Sequence, residues 1–133
     1  IAYTSVLNAD VSPMSVAPSH RDTEAAIRDS GLAHAFLRNG WYLENYLIGA
    51  DAAIAHGALL GSTGEGLSSA ASRADFAEAA AIVLTGGPTL AGYSADASGG
   101  ALFENSGTLG RLLERPTRRL RDVVSAGLQQ DAA

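Results

Sequence analysis

The sequence predicts an α/β fold with an open, doubly wound parallel sheet. Three observations predict it. Two apolar, strand-like runs, Ile1 to Leu7 and Leu32 to Leu37, flank a helical stretch, the arrangement of a parallel pair joined by a right-handed crossover. The second run ends in Asn39-Gly40, followed by Trp41-Tyr42 and then an apolar pattern at helical spacing, Leu43, Tyr46, Leu47, Ala50 and Ile54. A strand that ends this way opens a crevice at the carboxyl edge of the sheet, where such folds bind ligands. The 133 residues suit one modest domain, and a 47% apolar fraction suits a globular chain.

The elements follow in order. Ile1 to Leu7 is a short strand, and Asn8 to Ser19, with Pro13 and Pro18, is a loop. Ser19 is placed to cap a helix from about His20 to Ser30, stopped by Gly31. Leu32 to Leu37 is the second strand. One helix is expected from Leu43 to about His56, ending at Gly57. Ala58 to Ala71 reads as two short strands, or a strand and a loop, with a hairpin turn at Gly64-Glu65-Gly66. Ser72 caps a helix from Arg73 to Leu84, with Asp75 set for a capping-box contact, and Gly86-Gly87-Pro88 stops it. Thr89 to Gly100 has no clear pattern. Ser106 starts a short helix, Gly107 to Glu114; Pro116 breaks it, and Thr117 caps a last helix from Arg118 to about Leu128. Arg118, Arg119 and Arg121 read as its solvated face.

Composition removes several function classes. A net charge of −5 argues against a nucleic-acid partner. The absence of Cys removes disulfides, thiolate ligands and Cys nucleophiles. All nine basic residues are Arg, so Lys Schiff bases, Lys general bases and a Walker phosphate loop are excluded. No apolar stretch approaches the roughly 18 residues of a membrane span, and neither a membrane partner nor a location outside the cytoplasm is expected. His20, His34 and His56 have no partners at a recognised metal spacing, so no metal is assigned.

Two groups of residues are candidates for chemistry. Ser5 ends the first strand, and His20 and Glu24 share one face of the next helix. A hydroxyl facing such a pair can handle protons or orient a cofactor. The plainer alternative is that Glu24 and Arg28 form an i,i+4 ion pair while Ser5 and His20 are surface caps. The second group is Asn39, Gly40, Trp41, Tyr42 and Asn45, around the expected crevice. Its alternative is a packed strand-to-helix turn with a core Trp. Tyr42 and Tyr46 have no Lys to lower a Tyr pKa. Asp75 is read as an acidic residue favoured at a helix N-terminus.

Several segments together resemble a known family. They are Ile1-Ala2-Tyr3-Thr4-Ser5, Ala9-Asp10-x-Ser12-Pro13, His20-x-x-Thr23-Glu24, Ser30-Gly31, Leu37-Arg38-Asn39-Gly40-Trp41-Tyr42-x-Glu44-Asn45-Tyr46 and Arg73-Ala74-Asp75, with Ala97-Ser98, Gly100, Leu102-Phe103, Thr108-Leu109 and Pro116-Thr117 in the tail. The chain resembles the NmrA-like, atypical short-chain dehydrogenase/reductases, in the NAD(P)H:quinone oxidoreductase branch, and is also similar to triphenylmethane reductase.

The resemblance implies the C-terminal part of a Rossmann-like doubly wound parallel sheet plus part of a small helical substrate-side lobe. Residues 1–57 would be the C-terminal half of the NAD(P)-binding domain, and 58–133 the substrate-side lobe with terminal helices. It also implies that the family's Gly-rich phosphate-binding unit lies upstream of Ile1 and that a further stretch is missing near Thr85 to Pro88. The implied cofactor is NADPH or NADH in the complete protein, and the implied partner is a quinone-like planar acceptor. Thr4, Ser5, Asn39 and Gly40 would then border the cofactor, and Trp41, Tyr42 and Asn45 the acceptor. Where the family's ordinary members carry Tyr and Lys, this chain offers His20 and Glu24. Two other outcomes stay open: a non-catalytic, NAD(P)-sensing regulator, and a fragment inactive on its own.

Overall fold

A computed structural model describes residues 1–59, 61, 64, 66–85 and 107–130, the side chain of Gln130 excepted. The architecture is α/β with parallel strands. β1 (Ala2–Val6) and β2 (Ala35–Asn39) pair in parallel, with Ala2 opposite Ala35 and Val6 opposite Asn39. α1 (Ala17–Asp29) makes the crossover between them and packs on β1. A second parallel pair joins β3 (Trp41–Tyr42) to β4 (Ala70–Ala71), and so spans the expected boundary after residue 57.

α1 begins three residues before the expected start. Pro18 sits in its first turn, where a missing N–H costs nothing and the fixed φ suits the helix. The Ser19 hydroxyl is therefore inside the helix and donates to the Val16 carbonyl at 2.9 Å instead of capping. Gly31 ends the connection as expected, its N–H bonded to the Arg28 carbonyl. β2 lies later than the run Leu32 to Leu37. The Ile1 amino group and the Ala35 N–H bond the carbonyls of Ala33 and Ile1, which fixes the register there and leaves Leu32 exposed.

The single helix expected from Leu43 to His56 is two pieces. A 3-10 turn, Leu43–Leu47, is followed by Gly49 at φ +80 and then α2 (Ala50–His56). The left-handed Gly49 re-aims the chain. Leu43 alone of the expected stripe is fully buried, and Ile54 is 66% exposed. α2 ends at Gly57, again left-handed, as the sequence indicates. Of Ala58 to Ala71, β4 is the only strand among the described residues. Gly64 sits in a turn with φ +54. Glu65, the stop at Gly86-Gly87-Pro88, the span Thr89 to Gly100 and the helix start at Ser106 lie outside the described residues.

α3 (Arg73–Leu84) has the expected limits. The Ser72 Oγ accepts from the Asp75 N–H at 3.0 Å, and the Glu44 carboxylate accepts from the Arg73 N–H. Two of the helix's free amides are thereby satisfied. The Asp75 side chain does not close a capping box. It is fully buried and takes hydrogen bonds from the Arg118 N–H and from the Arg115 and Arg118 guanidiniums, at 2.7–2.8 Å. Arg118 is thus an ion-pair partner of α3, not part of a solvated face. α4 (Thr108–Leu112) is shorter than expected, and α5 (Leu120–Gln130) starts two residues late because Arg118 is held by Asp75 outside the helix. α5 packs on the 3-10 turn.

Close backbone approach explains Gly40. The Trp41 N–H bonds the Ser69 carbonyl at 2.9 Å, and a Cβ at Gly40 would lie 2.3 Å from that oxygen. Gly40→Ala must push β4 away from β3. The expected loss is about 1–3 kcal/mol, as for other overpacked sites. Chemical denaturation of the two proteins checks this, and equal midpoints would refute it.

Candidate functional site

β1 and β2 end side by side, with the Leu7 N–H bonded to the Asn39 carbonyl at 2.8 Å. The chain then leaves the two strands by different turns. After β1 it enters a tight turn in which Asn8 adopts φ +55 and its carbonyl accepts from Val11 and Ser12. After β2, Gly40 leads into β3. A hollow of about 160 Å³ opens between the strand ends, lined by Thr4, Ser5, Val6, His20, Asn39, Gly40 and Tyr42.

The nominated residues divide. Thr4, Ser5, His20, Asn39, Gly40 and Tyr42 converge on this hollow. Glu24 does not reach it but lies behind Ser5, buried. Trp41 and Asn45 are half-buried and are not among the lining residues. Val6 is a lining residue that sequence reasoning missed, because a valine in a strand carries no signal of its own.

Tyr3 and Ser5 share one face of β1, and His20 and Glu24 share one face of α1. The two faces meet. The Tyr3 hydroxyl and the His20 Nδ1 are 2.8 Å apart. The Ser5 hydroxyl is buried and near enough to Glu24 to favour its charge, but it has no well-formed hydrogen bond among the described residues. Behind it, Arg38 clasps Glu24 through two bonds, Nε to Oε1 at 2.9 Å and Nη2 to Oε2 at 2.7 Å. Arg28 adds a third at 3.0 Å, and Arg38 also reaches Asp10 at 2.8 Å. Burial works against the Glu24 carboxylate. The hydrogen bonds from Arg38, the nearby Ser5 hydroxyl and the charges of Arg38 and Arg28 outweigh it and hold the pKa below its ordinary value.

This network changes the role expected for Glu24. The Arg28 ion pair foreseen as the plainer alternative exists, and Arg38 strengthens it. A carboxylate held by two guanidiniums is a poor proton carrier and a good anchor. His20 has no such neighbour, and its Nε2 has no partner among the described residues.

On the other side, Asn39 Nδ2 donates to the Tyr42 hydroxyl at 3.2 Å. Phe76 of α3 meets the Tyr42 ring edge-on at 5.6 Å, and the Arg73 guanidinium lies 5.3 Å from its centroid. Tyr42 is therefore a fixed wall of the hollow. His34 is exposed and stacks on Phe36 at 4.7 Å.

Comparison with known proteins gives a consistent picture. No family profile matches the chain. Quinone oxidoreductase 2 of Escherichia coli (strain K12) is 52% identical over 85 residues, which is 64% of this chain and 30% of that protein. The chain therefore spans under a third of the length of that curated relative in the matched region. A crystal structure of an NADPH-dependent quinone oxidoreductase from E. coli superimposes with a TM-score of 0.78 at 32% identity, covering 96% of this chain and 67% of that one. The same enzyme complexed with NADPH gives 0.76 at 33% identity, over 96% and 65%. Triphenylmethane reductase of Citrobacter sp., complexed with NADP(H), gives 0.61 at 36% identity, over 66% and 31%.

The Glu24 cluster makes a testable demand. Arg38→Leu leaves a buried carboxylate with one partly exposed Arg, at an expected cost on the order of 3 kcal/mol. Because the folded pKa of Glu24 is depressed, its contribution is complete above the unfolded value near 4.5 and is lost as the pH falls through the lower, folded value. Melting temperature should drop on acidification below that point. Glu24→Gln should melt lower at neutral pH and show a shallower acid dependence. An unchanged acid limb in Glu24→Gln would remove Glu24 as a cause.

Proposed function

Because the chain belongs to the NmrA-like, atypical short-chain dehydrogenase/reductase family, in its quinone oxidoreductase branch, we propose that it forms the nicotinamide and acceptor side of an NAD(P)H-dependent reductase of quinones or similar planar acceptors. The supporting observation is the convergence of Thr4, Ser5, His20, Asn39, Gly40 and Tyr42 at the carboxyl ends of two parallel strands, where ligands bind in such sheets. In this proposal residues 1–57 are the C-terminal half of the NAD(P)-binding domain. Residues 58–133 are the substrate-side lobe and terminal helices, and the cofactor's phosphates are held elsewhere in the complete protein.

The residues present suit a nicotinamide. Two hydroxyls, from Thr4 and Ser5, and the Asn39 carbonyl oxygen offer donors and acceptors for a carboxamide. The buried Ser5 hydroxyl, without a well-formed bond of its own, is the clearest such group. Asn39 gives one amide N–H to Tyr42, which orients the side chain and leaves its side-chain oxygen and second N–H for the carboxamide. When bound, the reduced nicotinamide supplies the hydride. The chain's part is to orient the two reactants and to keep water from between them. Tyr42, braced by Phe76, gives a flat apolar wall against which a planar ring can lie. The hollow is below the roughly 300–1,000 Å³ of a whole ligand site, in keeping with one part of a larger cleft. Trp41 and Asn45, outside its lining, belong in this proposal to the outer rim that receives the acceptor.

The test is consumption of NADPH and NADH by the full-length protein with a series of quinones. Cofactor binding without turnover would favour a nucleotide-sensing regulator instead. Trp41→Ala separates acceptor contact from packing. Loss of a stacking partner, about 0.5–1.5 kcal/mol, gives up to a roughly tenfold fall in kcat/KM. A core role would instead lower stability by about 3–5 kcal/mol. Quinone kinetics and melting temperature, measured together, decide. Unchanged kinetics with a large loss of stability would take Trp41 out of the site.

A further inference from the structure

We propose that Tyr3 is a positioning residue that fixes the tautomer of His20, so that His20 Nε2 carries the proton delivered to the reduced acceptor. The inference deepens the reductase proposal and rests on it for the identity of the acceptor.

Three observations support it. Tyr3 Oη lies 2.8 Å from His20 Nδ1, with the rings 5.8 Å apart and tilted by 48°. A hydroxyl that donates to Nδ1 makes that nitrogen the acceptor, and a neutral imidazole must then hold its proton on Nε2. His20 lines the hollow, and Nε2 is the ring nitrogen left without a partner among the described residues. Finally, Glu24 is committed to Arg38 and Arg28, the chain has no Lys, and His20 is the one imidazole among the residues that line the hollow.

The step balances. A quinone that takes a hydride, two electrons and one proton, from a reduced nicotinamide becomes a hydroquinone monoanion. One further proton completes the hydroquinone. The Nε2–H bond breaks as the new O–H bond forms on the acceptor. The Tyr3 hydroxyl proton passes to Nδ1 as Nε2 gives up its own, so the imidazole stays neutral; once the products have left, solvent protonates Nε2 at the open hollow and the Nδ1 proton returns to the Tyr3 oxygen, which restores the starting tautomer. The oxidised nicotinamide and the hydroquinone leave.

Two measurements on the full-length protein test this, one of them independent of turnover. The ¹⁵N chemical shifts of the His20 ring should report an Nε2–H tautomer in the wild type and a mixture of tautomers in Tyr3→Phe, which keeps the ring and loses only the hydroxyl. In quinone kinetics, Tyr3→Phe should lower kcat about tenfold and His20→Gln about 100-fold, with KM for the quinone changed less than about twofold. A merely structural role would move stability or KM and leave the tautomer alone. An Nδ1–H tautomer in the wild type, or an unchanged kcat in Tyr3→Phe, overturns the proposal. If the protein reduces no quinone, the reductase proposal fails, and the ¹⁵N spectra still decide whether Tyr3 sets the tautomer.

Discussion

The buried carboxylate of Glu24 is the constraint around which the strand ends are organised. An unpaired charge in that position would cost several kcal/mol, so the fold must bring cations to it. Arg38 does so from β2 with both arms of its guanidinium, and Arg28 from the next turn of α1. Arg38 can reach only if β2 extends past Leu37, which explains why the strand runs to Asn39. The same clasp presses α1 onto the β1–β2 pair and carries His20 to Tyr3 and to the hollow. Geometry at the site is thus set one layer behind it, by groups that do not line it.

A second buried carboxylate plays the corresponding part in the other half. Asp75, at the start of α3, holds the Arg115 and Arg118 side chains and the Arg118 amide. Burial opposes its charge, but these bonds and Ser72 keep its pKa below the ordinary value. Glu78 shares Arg115. The segment between α4 and α5 is therefore tied to α3 by charge, beside the buried Leu113. That suits a core whose buried apolar residues, among those described, are mostly alanines. Small side chains fill little volume, and charge-assisted bonds supply the specificity that large side chains would otherwise give.

These clusters mark what was legible in the sequence and what was not. The crossover between two parallel strands, the Gly31 and Gly57 stops and the Ser72 cap were legible because each depends on local chemistry: periodicity, left-handed backbone and an N-cap hydroxyl. The shifts at α1 and β2 came from longer-range choices. Pro18 could end a loop or open a helix, and only the pairing of β1 with β2 selects where the strand starts. The broken helix after Tyr42 was hidden because its apolar spacing continues across Gly49. At the site, Ser5 and His20 could be grouped from strand and helix faces, while Asn39 joined Ser5 only through the family resemblance. The partners of Glu24 and Asp75 could not all be, since Arg38 is 14 residues from Glu24 and Arg118 is 43 from Asp75. Nothing in the sequence marks Tyr3 as the mate of His20 except that it shares a face with Ser5.

The stretch from Leu37 to Tyr46 is distinctive because almost every residue in it answers to a different part of the fold. Arg38 answers to the buried carboxylate of α1, Asn39 to the Tyr42 hydroxyl, and Gly40 to the Ser69 carbonyl. Leu43 enters the core, and Glu44 completes the N-terminus of α3. Residues that line the hollow, Asn39, Gly40 and Tyr42, are therefore flanked by residues that hold its walls. A substitution at a lining position also disturbs a neighbour with a structural duty, so changes in activity and in stability here will be coupled unless the substitution is chosen to spare the bond. That coupling gives physical content to the specificity of the motif: the hollow exists only where all these partners are in register.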